Sequence, residues 1–257
     1  MYYINTDGEN VEIKFTPQKK IKSVVKWTFD NVIISNDIFA DDLNNYFSPE
    51  YIGSSHYLSD DGYFFDSSDN LLVGAFLYVP DKNYFNPEVL NTILSFDSTD
   101  ASIQIINPIK FNAVSPCNFR YLSRDGNYLL CLSNIDLNGE IKRIKIHDFF
   151  EFIFLNKKMV GFLLIMPFEN LVFFDDLNYE CDNNSNITLS LDEKNIFLSY
   201  FDLVDEDGWD KINDGDLLIL SEINKIKNKI TKMNVKHTQL KSLYKQCEFI
   251  VNNYYTN

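Results

Sequence analysis

The C-terminal segment from residue 219 to residue 251 has the sequence ILSEINKIKNKITKMNVKHTQLKSLYKQCEFIV. Its mostly apolar side chains recur at alternating steps of four and three residues, a spacing that places them along one stripe of an α-helix. The stripe consists of Ile219, Ile223, Ile226, Ile230, Met233, His237, Leu240, Tyr244, Cys247 and Val251. Because the segment contains neither Gly nor Pro, we predict a helix from about Asp216 to Asn252, roughly 50 Å long.

The predicted helix has a weak point at Asn234-Val235, the pair with the poorest helix propensity inside it. Its apolar stripe needs a partner surface, which is either the rest of this chain or a second copy of it. Lysine dominates beside the stripe, whereas coiled coils usually carry mixed charge there. We therefore expect the helix to pack on its own chain and the protein to be a monomer. A homodimer through the C-terminal helix is the alternative.

The preceding residues, 1–216, are predicted to form a β-rich body. Short runs rich in Val, Ile, Phe and Tyr alternate with turn residues, a pattern typical of mostly antiparallel strands. The predicted strands are 2–4, 11–15, 21–34, 56–58, 63–66, 71–79, 102–106, 109–114, 119–122, 128–132, 140–146, 187–191 and 196–203. Short helices are expected at 37–47 and 86–94. The predicted fold class is α+β, in which the acidic body and the basic helix of residues 217–257 form a single structural unit.

Two connections in this body carry specific predictions. Asn138-Gly139 is the strongest hairpin signal in the chain, and we expect it to join strands 128–132 and 140–146. Residues 205–216 are rich in Asp, and we expect them to form an acidic loop that leads into the long helix.

The net charge of −14 is unevenly distributed along the 257 residues. From Ser221 to the end of the sequence, seven lysines oppose two glutamates, so this part carries +5 and the preceding residues carry −19. A body this acidic repels nucleic acid and anionic membranes, and it attracts basic proteins at enhanced rates. We therefore predict a basic protein as the partner, and neither nucleic acid nor a membrane.

The expected location is the cytoplasm. The N-terminal residues contain no basic region followed by an apolar stretch, so no secretory signal is predicted. The longest clean apolar run, 159–168, has 10 residues, about half of what a membrane-spanning helix needs. The cysteines are scattered without paired spacing and are expected to be reduced thiols. They are Cys117, Cys131, Cys181 and Cys247.

Acidic residues interleaved with aromatic ones mark the predicted partner-binding sites. Acidic side chains steer the encounter with a cationic surface, and Trp and Tyr anchor a buried interface centre. The first candidate site comprises Asp205, Glu206, Asp207, Trp209, Asp210, Asp214 and Asp216, and the second comprises Asp60, Asp61 and Tyr63. Our leading hypothesis is a non-enzymatic acidic protein-binding module, such as a bacterial immunity or antitoxin-like inhibitor of a basic toxin.

The enzymatic alternative rests on Asp125, Glu140 and Lys142. An Asp followed by Glu-x-Lys on a strand–turn–strand unit resembles the metal site of the PD-(D/E)xK nuclease family. The resemblance covers fewer than twenty residues and lacks the Pro before the first acid. It implies that two carboxylates hold Mg²⁺ while the lysine assists the attacking water, which would make the protein a metal-dependent nuclease or other hydrolase.

Other catalytic and cofactor signatures are absent from the sequence. It contains no GxSxG, P-loop, GxGxxG or HExxH motif. His56, His147 and His237 lie far apart, so zinc is not predicted, and no register of the acidic stretch fits an EF-hand calcium loop. We therefore expect no cofactor and no resident metal, and we favour binding over catalysis.

Overall fold

The computed structural model describes residues 1–7, 10–17, 24–35, 50–52, 61–66, 68–107, 113–173, 189–233 and 237–255. The described residues form a mixed α+β structure with a β-rich body and a helical C-terminal segment. This confirms the predicted fold class. The helix predicted at 37–47, the strand at 56–58 and most of the strand at 109–114 lie outside the described residues.

The described residues form the following strands and helices. The strands are β1 Tyr2–Ile4, β2 Val11–Pro17, β3 Val24–Trp27, β4 Asn31–Ser35, β5 Glu50–Ile52, β6 Gly62–Phe65, β7 Leu72–Tyr78, β8 Ser98–Ile105, β9 Phe119–Leu122, β10 Tyr128–Leu132, β11 Ile141–His147, β12 Phe150–Leu155 and β13 Lys158–Ile165. The helices are α1 Glu88–Leu94, α2 Leu191–Leu203, α3 Glu206–Asn213, α4 Leu217–Lys232 and α5 Thr238–Tyr254, and a 3-10 helix spans Pro167–Asn170.

The larger sheet has eight strands in the order β1-β2-β8-β11-β12-β13-β10-β9. It closes on itself because β1 also pairs with β13, through Tyr3 and Lys158. Most pairs are antiparallel, whereas β8 with β11 and β1 with β13 are parallel. Large aromatic side chains fill its interior, where Phe150, Phe152 and Phe162 are fully buried and pack ring against ring.

The smaller sheet has the order β3-β4-β7-β6-β5, and all of its pairs are antiparallel. Isolated bridges link it to the rest of the body at Trp27 with Leu171 and at Leu71 with Gln104. Residues 21–34, predicted as one strand, include β3 and β4, which form a hairpin.

A two-residue turn, Asn156-Lys157, joins β12 and β13 of the larger sheet. Both residues have positive φ, 49° and 71°, as a two-residue hairpin turn that matches the twist of its strands requires. The hairpin predicted at Asn138-Gly139 is wrong. Strand β11 pairs with β12 and β8, because β13 and β9 already occupy the two edges of β10.

Residues 191–203 form helix α2, so the strand predicted at 196–203 is wrong, as is the end of the one predicted at 187–191. A capping box begins the helix: the Ser190 side chain accepts a hydrogen bond from the Glu193 amide, and the Glu193 carboxylate accepts one from the Ser190 amide at 2.7 Å. The buried side chains include Ile196, Phe197 and Tyr200. Packing of this face outweighs the β propensity of its aromatic residues.

The acidic stretch 205–216 is largely helical, so the predicted loop is wrong there. Asp205 starts α3 by accepting a hydrogen bond at 2.9 Å from the Gly208 amide. Glu206 and Asp207 then occupy the first turn, where negative charge stabilises the positive end of the helix dipole.

The C-terminal segment is helical, as predicted, but it is divided into α4 and α5. The division falls at 233–237, next to the predicted weak point; residues 234–236 lie outside the described part of the chain. The two helices run antiparallel, because Lys227 pairs with Glu248 at 3.7 Å and the Tyr255 hydroxyl donates to the Asp216 carbonyl at 3.0 Å. The expected 50 Å rod is thus a helical hairpin.

The apolar stripe of this hairpin is buried within its own chain. In α4 the buried residues are Ile219, Ile223, Ile226 and Ile230. In α5 the buried apolar residues are Leu240, Leu243, Cys247 and Ile250. Leu243 and Ile250 are therefore buried in place of the predicted Tyr244 and Val251, which are half-buried. The described lysines of α4 and α5 are exposed, except for the half-buried Lys227.

Ile226→Asp should lower the free energy of unfolding by about 3 kcal/mol or more, because Ile226 is 4% exposed in the main core and an unpaired charge there is among the costliest substitutions. Asn228→Asp, at an exposed position of the same helix, is the matched control and should change stability little. Urea unfolding measures both, and coincident unfolding curves for Ile226→Asp and the wild type would contradict the packing described for α4.

Candidate functional site

Helix α3 is amphipathic and presents its carboxylates to solvent. Its buried residues are Gly208 and Ile212, which pack towards the core. Asp207, Asp210 and Asp214 recur at i, i+3 and i+7 and are exposed, so they form one stripe on the opposite side. The structure therefore brings together most of the first group of predicted site residues.

Asp205 and Asp216, also in that group, serve as helix caps. Asp205 starts α3, and Asp216 starts α4 by accepting a hydrogen bond from the Leu218 amide at 2.7 Å. The Asp216 carbonyl also accepts the hydroxyl proton of Tyr255. These contacts fix where α3, α4 and the end of α5 meet.

Exposed apolar side chains lie at the same meeting point. Leu217 is 73% exposed and Leu218 is 78% exposed, in the first turn of α4. Tyr254 is 40% exposed, and its ring centroid lies 6.0 Å from that of the half-buried Trp209. We use the name acidic corner for this surface, which comprises Glu206, Asp207, Trp209, Asp210, Asp214, Leu217, Leu218 and Tyr254.

A buried arginine connects the acidic corner to the core. Arg120 of β9 is 3% exposed, and its guanidinium lies 5.1 Å from the centre of the Phe201 ring. Its Nη1 is 3.7 Å from Asp81 Oδ1. Its Nη2 donates to the Val204 carbonyl and its Nε to the Asn83 side-chain oxygen, both at 2.8 Å. The guanidinium thus joins β9 to the end of α2 and to the segment that follows β7.

Carboxylates around Arg120 titrate above their ordinary range. Burial raises the pKa of Asp81, although Arg120 and hydrogen bonds from Tyr78 and Trp209 oppose the shift. The residue Asp30 is exposed at the surface, but the protein atoms around its carboxyl group remove much of the hydration of that group. This desolvation, together with Asp81, raises the pKa of Asp30 to about 6. Burial is the largest cause of both shifts, and the Arg120 guanidinium opposes both.

The second group of predicted site residues lies inside the protein. Asp61 and Tyr63 are each 3% exposed. Asp61 Oδ1 accepts a hydrogen bond from the Tyr78 amide at 2.8 Å, and the Tyr63 hydroxyl lies 3.4 Å from Met159 Sδ. Both residues line a pocket of about 200 Å³ together with Cys117. Asp60 lies outside the described residues, so the described members of this group do not form an exposed docking surface.

The three residues of the nuclease-like pattern lie apart. Lys142 of β11 pairs with Phe154 of β12, which in turn pairs with Met159 near the start of β13. Asp125 lies in the turn before Tyr128, and Tyr128 pairs with Ile165 at the opposite end of β13. Six residues of strand separate these ends, about 20 Å. Glu140 adjoins Lys142 in sequence, so Asp125 does not share a site with this pair.

Local contacts account for two of these side chains. The Lys142 ammonium lies over the rings of Tyr2 and Phe15, at 5.6 and 5.4 Å from their centres. Burial acts to raise the pKa of Asp125, but hydrogen bonds from Ser123 and Asn127 outweigh it and lower the pKa. Across the described ranges, no group of three or more His, Cys, Asp or Glu side chains is placed to hold a metal ion. The three described cysteines, Cys117, Cys131 and Cys247, are buried free thiols.

Comparison with protein-family models, with curated proteins and with solved structures yields no match for this chain. Within the part of the chain that the structure describes, no helix is both long enough and apolar enough to cross a lipid bilayer.

Sequence reasoning missed Arg120 and Asp81, which lie behind the acidic corner. One signal was present: Arg120 interrupts the apolar strand Phe119–Leu122, in which a charged residue is unexpected unless it has a buried partner. Asp81 follows Pro80 in a loop and carries no comparable signal.

Asp30→Asn should raise the melting temperature at pH 7 and above, with no comparable gain near pH 4. Because the folded-state pKa of about 6 lies above the ordinary 3.8, folded Asp30 retains a proton between these values that the unfolded chain releases. Its contribution therefore becomes less favourable as the pH rises through this window. The difference in melting temperature between variant and wild type, measured from pH 4 to pH 8, checks this. A difference that does not vary with pH would contradict it.

Proposed function

We propose that this protein is a non-enzymatic binding module that captures a basic protein through its acidic corner. One observation carries the proposal: exposed carboxylates run along α3 to its cap, Asp214, and two leucines that are more than 70% exposed follow at the start of α4. Exposed apolar side chains next to like charges form the arrangement of an interface centre with a charged rim.

The charge of the corner supports a cationic partner. Residues 205–216 contain six acidic residues and one lysine, a net charge of −5. The lysines of α4 begin at Lys225, eight residues after Leu217, and so lie about 12 Å along the helix axis from it. A net negative field of this kind accelerates encounter with a basic surface and disfavours acidic competitors.

The apolar residues of the acidic corner supply the surface that is buried at the centre of the interface. Leu217 and Leu218 are ordered in the first turn of α4, whose cap is Asp216. Because the helix already fixes their backbone, their burial against a partner costs little ordering entropy. Trp209 and Tyr254 add aromatic surface of the type enriched at interface centres.

The class of partner that we propose is a basic toxin, inhibited in the manner of bacterial immunity and antitoxin proteins. Such inhibition requires a surface complementary in charge and shape to the toxin and no chemistry of its own. We propose that the protein acts in the cytoplasm as a monomer. The burial of the helical stripe within its own chain supports the monomer.

Neutralising three acids of the corner should slow association. We expect Glu206→Gln/Asp207→Asn/Asp210→Asn to lower the association rate at least about tenfold at low salt, because steering depends on the local field. The control triple Glu88→Gln/Asp97→Asn/Glu169→Gln changes the net charge equally at exposed positions elsewhere, and it should retain most of the wild-type rate.

The partner to be tested is the product of the adjacent open reading frame, which we expect to be basic, in an inactivated form. Biolayer interferometry at about 50 and 300 mM salt spans a strong change in screening. Equal rates for the two triples, or association that does not slow with salt, would refute capture through the corner.

Removing the two exposed leucines should act on dissociation. Leu217→Ser/Leu218→Ser should raise the dissociation rate about tenfold, equivalent to about 1.4 kcal/mol, while the association rate and the melting temperature change little. Leu191→Ser, at a 66% exposed leucine in the first turn of α2, is the control. A double variant that dissociates at the wild-type rate would show that the leucines are not part of the interface.

A further inference from the structure

A cleft of about 510 Å³ lies beside the acidic corner, between α3 and the segments 78–82 and 117–119. Three aromatic residues, Tyr78, Phe119 and Trp209, contribute to its walls. Three carboxylate residues also line it: Asp81, Glu206 and Asp210. Its volume falls in the range of sites that hold a small molecule or an inserted side chain.

The cleft already holds a cation from the chain itself. The Lys82 ammonium lies 3.3 Å from a Glu206 carboxylate oxygen and 5.7 Å from the centre of the Phe119 ring. A carboxylate on one side and an aromatic face on another is the arrangement that stabilises a cation at a protein surface. The walls of the cleft are therefore built for positive charge.

The rest of the lining has the same chemistry without a further lysine. Asp210 and Trp209 lie on α3, and Tyr78 and Asp81 lie opposite in the segment that ends β7. Of the residues that line the cleft, all in described parts of the chain, Lys82 alone is basic.

We propose that the part of the cleft lined by Tyr78, Trp209 and Asp210 binds an arginine side chain inserted by the basic partner; the inference rests on the proposed function and specifies its recognition element. A guanidinium is planar, stacks on aromatic faces and donates to carboxylates in a fixed geometry, whereas an ammonium is a compact, strongly hydrated charge. Arg120 provides an internal example, since it lies 5.1 Å from the Phe201 ring centre and 3.7 Å from Asp81.

The test uses small probes on the full chain, so that it does not depend on the partner. N-acetyl-arginine amide is titrated while the two indole N–H resonances are followed by NMR. The Trp209 indole donates to Asp81 at the cleft, whereas the Trp27 indole donates to the Phe29 carbonyl in the core. The Trp209→Phe variant assigns the two signals. We expect the chemical shift of the Trp209 indole N–H to change saturably with probe concentration and that of the Trp27 indole N–H to remain constant.

The matched probe is N-acetyl-citrulline amide, which has nearly the same shape but no charge and should bind at least about tenfold more weakly. Asp210→Asn should weaken arginine binding at least about threefold. Asp97→Asn, at an exposed carboxyl elsewhere, should leave it unchanged. N-acetyl-lysine amide should bind more weakly than the arginine probe.

Equal shifts with the arginine and citrulline probes, or no saturable shift, would overturn the arginine site. Binding of the lysine probe as tightly as arginine would overturn the choice of a guanidinium. Neither result bears on capture of the basic partner, which is tested separately by the association and dissociation rates of the acidic-corner variants. Conversely, those variants can fail to affect capture while the arginine probe binds, which would refute the proposed function and not the site.

Discussion

The stacking of Trp27 on Phe201 is the contact on which much of the arrangement depends. The two ring centroids lie 5.0 Å apart with a 19° angle between the planes, and Phe168 stacks with Trp27 at 6.0 Å. Trp27 belongs to the smaller sheet, Phe168 to the 3-10 helix after the larger sheet, and Phe201 to α2. Phe201 also contacts the Arg120 guanidinium, which faces Asp81. A continuous series of contacts therefore runs from the junction of the sheets to the acidic corner.

The local sequence pattern predicted strands well where a short apolar run is bounded by turn residues. Strands β9 and β10 have the predicted bounds, and the C-terminal segment is helical as its spacing indicates. The wrong assignments of secondary structure arose where the residue types favour a strand or a loop but a capping residue starts a helix. Residues 191–203 have aromatic and β-branched residues typical of strands, but Ser190 and Glu193 form a capping box that starts a helix. Residues 205–216 are rich in Asp, which disfavours helix interiors but stabilises helix starts.

The site was only partly predictable, because its acids share one stretch of sequence and its other parts do not. Asp207, Asp210 and Asp214 follow helical spacing, so one amphipathic helix suffices to align them. The cleft behind them combines residues from around 78–82, 117–119 and 206–210. No spacing in the sequence reports contacts between segments this far apart. Burial also separated residues of similar appearance: Asp61 and Tyr63 lie inside, whereas Asp210 and Tyr254 face solvent.

The helical hairpin has a practical consequence for the design of fusions. Because the Tyr255 hydroxyl bonds to the carbonyl of Asp216, any segment attached after residue 255 leaves the fold beside the acidic corner. A flexible basic peptide joined there would reach the corner at a millimolar effective concentration. It would act as a tethered competitor, so that cleaving a short linker could turn a masked receptor into an open one.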